Sequence, residues 1–176
     1  MTLRRLPDVV ASAQFGRPCF RTSTVEAQWE EDAMNIGQIL KAKGRAVATA
    51  RPDATLQEIV NKLSQKKIGA IVIVGDNGGV VGIISERDVI RKLGERGPEV
   101  LSEPVSQSMT TNVITCQETG TLDELMEVMT QGRFRHCPVI EDGALVGIIS
   151  IGDVVKNHIA EVEMEVTAMR GYFVTG

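Results

Sequence analysis

The sequence predicts an α/β fold of the α+β kind, built from two β-α-β-β-α repeats packed about a pseudo-two-fold axis. Three observations predict it. A G-I-I-S-x-x-D segment occurs twice, at Gly82–Asp88 and at Gly147–Asp153. The surroundings repeat as well: Thr55-Leu-Gln-Glu58 returns as Thr121-Leu-Asp-Glu124, and Ile71–Val74 returns as Cys137–Ile140. The offset is 66 residues up to this strand and 65 beyond it, which places a one-residue length change in a Gly-rich turn. A period of this length marks two copies of one supersecondary unit packed on each other, so a site in one copy has a counterpart in the other.

The elements follow in order. Residues 1–33 lack a hydrophobic period and read as a flexible tail or a targeting segment, the first 24 carrying arginines and only Asp8 as an acid. The first repeat, 34–96, opens with a helix bearing Ile36, Ile39 and Leu40 and continues through an extended Val47–Thr49. Thr55-x-x-Glu58 is a capping box, and Leu56, Ile59, Val60 and Leu63 share one face of the helix that it starts. Ala70–Val74 is an apolar run suited to a buried strand, Asp76–Gly79 a tight turn, Val80–Ile84 the partner strand and Glu86–Leu93 a helix.

The linker, 97–108, holds Pro98 and Pro104. The second repeat, 109–158, restates the order, with Val113–Thr115 extended and a helix opened by Thr121. Strands Cys137–Ile140 and Leu145–Ile149 then flank a turn at Asp142-Gly143. Residues 159–176 prolong the last helix as an extension and tail. Val155, Ile159, Val162 and Val166 make an apolar stripe there, between acidic residues, that suits a partner surface.

Length and composition narrow the function. With 176 residues the chain can bury one good core or two small half-domains. Aromatics are only 3 %, so the core is aliphatic and stacking platforms for single-stranded nucleic acid are lacking. A net charge of −4 gives no field to hold a polyanion, which argues against a nucleic-acid partner but leaves room for a small basic pocket. Cys19, Cys116 and Cys137, with His136 and His158, lack zinc-ligand spacing, so neither a metal nor a disulfide scaffold is expected and a reducing compartment fits. No apolar run approaches the roughly 20 residues that span a bilayer, so no membrane partner is expected.

The doubled unit carrying G-h-h-S-x-x-D resembles a tandem pair of CBS domains (named for cystathionine β-synthase), the Bateman module. The resemblance covers Ile36 to about His158, and Arg133-x-Arg135-His136-x-Pro138-Val139 is similar to small stand-alone members of that family. It implies an adenine nucleotide as ligand (AMP first, with ATP, ADP or NAD as alternatives), a homodimer and a regulated partner protein. The setting it suggests is cytoplasmic, or mitochondrial or plastid if residues 1–24 are a transit peptide.

Ser85 with Asp88, and Ser150 with Asp153, stand where strand becomes helix. Each pair completes a capping box, and the same geometry suits a nucleotide. A helix N-terminus attracts phosphate, and a first-turn carboxylate can accept both hydroxyls of a ribose. The resemblance implies that Asp88 or Asp153 holds the ribose, with Ser85 or Ser150 beside it.

Arg133, Arg135 and His136 align with Lys67, Gly69 and Ala70, so the fold does not require them, and Gly69, Ala70 and Pro138 count with them as candidate ligand-binding positions. Such cations in an acidic chain suit a phosphate, with Arg87 a further candidate. Thr49 and Thr115 belong to the segments that line the adenine in similar proteins. Cys137 reads as a small core residue, and His136 lacks the nucleophile or paired acid of a catalytic motif. The rival expectations are a small unrecognised enzyme using His136 and an aspartate, or a constitutive scaffold with degenerate pockets.

Overall fold

The computed structural model describes residues 34–174; the tail or targeting segment expected at 1–33 lies outside them. The first half contains α1 (Ile36–Lys43), β1 (Thr49–Ala50), α2 (Leu56–Lys66), β2 (Ala70–Val74), β3 (Val80–Ser85) and α3 (Glu86–Arg96). Two 3-10 turns, Pro98–Ser102 and Val105–Gln107, lead to α4 (Leu122–Gly132), β4 (His136–Glu141), β5 (Ala144–Ser150) and α5 (Ile151–Val174). The capping box expected at Thr55 forms, and its repeat at Thr121 forms as well. Thr55 Oγ1 accepts the Glu58 amide at 3.3 Å while the Glu58 carboxylate accepts the Thr55 amide at 2.8 Å. Thr121 and Glu124 do the same at 3.3 and 3.2 Å.

The hairpins account for the change of offset. In the first, Val74 pairs with Val80 around a turn with Gly78 at φ 78°. In the second, Ile140 pairs with Leu145 and Glu141 with Ala144, around Asp142 (φ 49°) and Gly143 (φ 78°). The second connection is therefore one residue shorter, and its two left-handed residues are those of a tight type I′ turn.

The sheets differ for a reason visible in one residue. β1 runs parallel to β2, pairing Thr49 with Val72, and the Val72 amide donates to Ala48 O at 3.1 Å. The residue 66 places on from Val72 is Pro138, which has no amide to give. The segment expected to be extended at Val113–Thr115 accordingly makes no strand beside β4, only a parallel bridge from Cys116 to Val139. Ile114 O, the counterpart of Ala48 O, accepts the Cys137 thiol at 3.5 Å instead. Cys137 is fully buried, in line with the core role expected of it.

The apolar residues gather in two clusters. Leu56, Ile59, Leu63, Ile71, Ile73, Ile84 and Val89 pack with Val100 and Val105 of the 3-10 turns. Leu122, Leu125, Met129, Val139, Ile149 and Val154 pack with Ile36, Ile39 and Leu40 of α1. The segment ahead of each capping-box helix, α1 before α2 and the 3-10 turns before α4, thus covers the core of the other half. The repeated glycines make this crossing possible. A Cβ on Gly147 would stand 2.6 Å from the Leu40 methyls, and one on Gly82 would collide with Met109.

Candidate functional site

The site grows from the junctions β3–α3 and β5–α5. Ser85, extended at φ −116°, ψ 164°, ends β3 opposite Ala70. Its hydroxyl donates to Asp88 Oδ2 at 2.6 Å, and that oxygen also accepts the Ser85 amide at 3.1 Å. Ser150 and Asp153 repeat these contacts at 2.7 and 2.7 Å. Each helix start is then tied to the opposite strand start: the Glu86 amide donates to Gly69 O at 3.1 Å, and the Ile151 amide to Arg135 O at 2.8 Å. Gly69 and Ala70 therefore occupy in one half the place that Arg135 and His136 occupy in the other.

The halves part company at the carboxylates. Asp88 Oδ1 accepts Arg91 Nη2 at 2.9 Å, from a guanidinium side chain that is 58 % exposed. Asp88 borders a cavity of about 400 Å³ between the repeats, a volume in the range that holds small ligands. Asp153 instead accepts the Lys43 ammonium at 2.5 Å. Burial raises the Asp153 pKa, but hydrogen bonds from Lys43 and Ser150 outweigh it and leave the carboxyl below its usual range.

The cavity has a basic rim. Arg87 and Arg91 reach it from α3, Arg133 and Arg135 from the turn after α4, and His136 from the start of β4. Arg133 sits in the left-handed conformation, φ 54°, where its carbonyl accepts Arg87 Nη1 at 3.4 Å. Glu86 and Asp88 are the carboxylates of the lining, so the cations outnumber them. His136 packs against Gly69, where an added Cβ would lie 2.9 Å from the ring's Cε1. Burial pushes the His136 pKa down; Asp153 and Glu86 pull it back up, and Lys43 and Arg135 oppose them. Arginines beside a helix start and a ring N–H suit an anionic group such as a phosphate. Ile83, Val113, Ile114 and Phe134 supply apolar walls.

Of the residues expected at a site, Gly69, Ala70, Ser85, Arg87, Asp88, Arg133, Arg135 and His136 line this one cavity. Thr49 does not reach it. Its carbonyl accepts Lys62 Nζ at 2.5 Å in a separate, more open hollow that also holds Arg51 and Glu58. Thr115, Pro138, Ser150 and Asp153 also stand outside the lining, Pro138 buried in β4.

The extended wall is supplied by Thr110, Asn112, Val113 and Ile114, held by reciprocal Thr110–Ile83 backbone bonds of 2.9 and 3.0 Å. Sequence reasoning missed Arg91 and Phe134. The first lies three residues after Asp88, on the same helix face; the second is an aromatic residue flanked by two arginines. Among the described residues no group of three or more His, Cys, Asp or Glu could hold a metal, and no helix is long and apolar enough to cross a membrane.

Comparison with known proteins agrees with this architecture. The family model for the CBS domain matches residues 42–95 and 105–159. A mitochondrial CBS domain-containing protein of Arabidopsis thaliana, CBSX3, is 33 % identical over 170 residues, covering 90 % of this chain and 82 % of its own. A CBS-domain-containing protein from Agrobacterium tumefaciens superposes with a TM-score of 0.68 at 48 % identity, covering 70 % of this chain and 92 % of its own. A CBS domain protein from Pyrobaculum aerophilum, solved in complex with AMP, superposes with a TM-score of 0.62 at 26 % identity, over 68 % of this chain and 89 % of its own. The two family matches each enclose one β-hairpin with its Ser–Asp junction and together span more than half of the residues; the chain belongs to the CBS-domain family and carries a tandem CBS pair.

Proposed function

We propose that this CBS pair is a regulatory sensor that binds one adenine nucleotide in the cavity beside Asp88 and signals its occupancy to a partner protein. The observation that carries this reading is the meeting, in one cavity, of a helix-start carboxylate with Arg87, Arg133, Arg135 and His136. Asp88 accepts the ribose hydroxyls, displacing the exposed Arg91. Arg135 and His136 meet the phosphates, and the aliphatic walls hold the base. AMP is the first candidate, since a related pair was solved with it; ADP, ATP and NAD share its adenosyl and phosphate groups. No step of catalysis is assigned, and the nucleotide is expected to be recovered unchanged.

The output surface is α5, where Val155, Ile159, Val162, Met164 and Val166 are each more than 40 % exposed. A second copy of this chain covering that row would give the homodimer. The setting is cytoplasmic or, as the mitochondrial relative suggests, organellar.

Calorimetric titration of AMP tests the reading. The wild type is expected to bind one AMP per chain, Asp88→Ala none at millimolar concentration, and Asp153→Ala with nearly wild-type affinity. At about 100 times its dissociation constant the ligand should stabilise the fold by roughly 2.7 kcal/mol, a shift of several degrees in Tm. Equal partial losses in the two variants would overturn the single-site reading. Failure of every adenosyl ligand, S-adenosylmethionine included, to bind the wild type would overturn the sensor.

A further inference from the structure

The Ser85–Asp88 and Ser150–Asp153 junctions match in register, in capping contacts and in the bond from helix start to strand start, yet Asp88 meets the exposed Arg91 of its own helix while Asp153 is held by a cation from a distant one. Lys43 Nζ donates to Asp153 Oδ2 at 2.5 Å and to Ile148 O at 2.9 Å. The ammonium thus shares Oδ2 with the Ser150 amide and hydroxyl, on the same carboxylate that a ribose at Asp153 would need.

The lysine is placed there by the fold. Ile36, Ile39 and Leu40 of its helix are 0–2 % exposed in the second core, with Leu40 seated on Gly147. After Gly44, at φ 94°, Arg45 pairs with Glu118 of the second half. Lys43 is therefore pinned from both sides. Across the 66-residue repeat the place of Lys43 is taken by Met109, whose thioether carries no charge and lies on Gly82.

We propose that Lys43 is a tethered occupant of a second adenosyl site, holding the Asp153 half closed while the Asp88 half stays open. The inference rests on the reading that the helix-start aspartate takes a ribose. A lysine ammonium and a ribose diol are both donors to the same carboxylate, and the lysine is already at hand. Because the contact is charge-assisted and only partly exposed, a ligand must break it before binding. The pair is thereby restricted to one nucleotide.

The test is AMP titration into Lys43→Met, Lys43→Arg and the double variant Asp88→Ala/Lys43→Met, each first checked for a cooperative melt. Methionine keeps the length of the side chain and removes its donor, as at Met109. Lys43→Met is expected to bind two AMP per chain and Lys43→Arg one. The double variant is expected to recover binding, at least about tenfold tighter than Asp88→Ala alone. A single site in Lys43→Met with a silent double variant, while the wild type binds one AMP, would overturn the occupant and leave the sensor standing. Loss of the wild-type site in Lys43→Met would overturn it too, by making Lys43 a ligand contact. A wild type that binds no AMP removes the sensor reading on which the inference rests.

Discussion

At Asp88 and Asp153 the same strand-to-helix turn closes the same capping box, with serine hydroxyl contacts of 2.6 and 2.7 Å. The company of the two carboxylates is nevertheless different. Asp88 meets an exposed arginine of its own helix at the edge of a basic cavity; Asp153 meets a lysine from the end of α1, 110 residues away. The comparison separates two layers of a duplicated fold. Contacts within a few residues reproduce the frame faithfully in both copies. What fills the frame depends on the segment that crosses it, and the two crossing segments, α1 and the stretch ending in Met109, have diverged.

The strongest way to break the comparison is to remove what pins the crossing segment. Leu40 is fully buried against the second half, so Leu40→Ala should cost about 2–5 kcal/mol. In a chain of this size that is a fall in Tm of roughly 5–20 °C. Hydrogen exchange should show β4, β5 and the start of α5 losing protection before β2 and β3. Equal loss in both halves would mean that the two apolar clusters open as one unit.

A smaller effect is expected at the rim. Arg135→Ala should weaken AMP by roughly ten- to a hundredfold, the equivalent of about 1.5–3 kcal/mol for a hydrogen bond to a charged group. Adenosine, which has no phosphate, should hardly change. If both lose affinity by one factor in calorimetry, the pocket is damaged and the phosphate assignment falls.

The smallest expected effect is on pH dependence. Burial holds the His136 pKa down in the folded chain. As pH falls through the ordinary imidazole range, the unfolded chain binds a proton that the folded one refuses, so stability declines towards acid. Asp153 adds a loss of its own further into acid. Its folded pKa is below the usual carboxylate range, so the stability it contributes is present above that range and disappears as pH falls through the folded value. Urea melts from about pH 7 down to about pH 3 should show both declines in the wild type. The acidic one should shrink in Lys43→Met, and the histidine one should ease slightly, since the Lys43 charge also helps to hold the imidazole pKa down. An unchanged acidic decline in that variant would show that Ser150 alone holds the carboxylate down.

Much of the molecule was legible from local chemistry. The threonine capping boxes, the Asp142-Gly143 turn, the apolar strands and the Ser–Asp junctions each depend on residues within about four positions of one another. Comparison of the copies also marked Arg133, Arg135 and His136 as more than the fold requires, and all three line the cavity. Thr49 and Thr115 were expected beside them and stand elsewhere, because the segment that forms the wall is fixed by Thr110 pairing with Ile83 across the repeats. The two-stranded second sheet was written in Pro138, a residue without an amide at the place where Val72 donates one.

The sequence by itself therefore determined the repeat, its elements and the two helix-start carboxylates, since period and capping act over short stretches of chain. Only the tertiary structure decided that α1 packs on the second core and that Lys43 reaches Asp153 while Met109 lies on Gly82. The physical reason is one of range. A contact between residues 110 positions apart leaves no trace in local periodicity; it exists only once both cores have closed and brought its ends together.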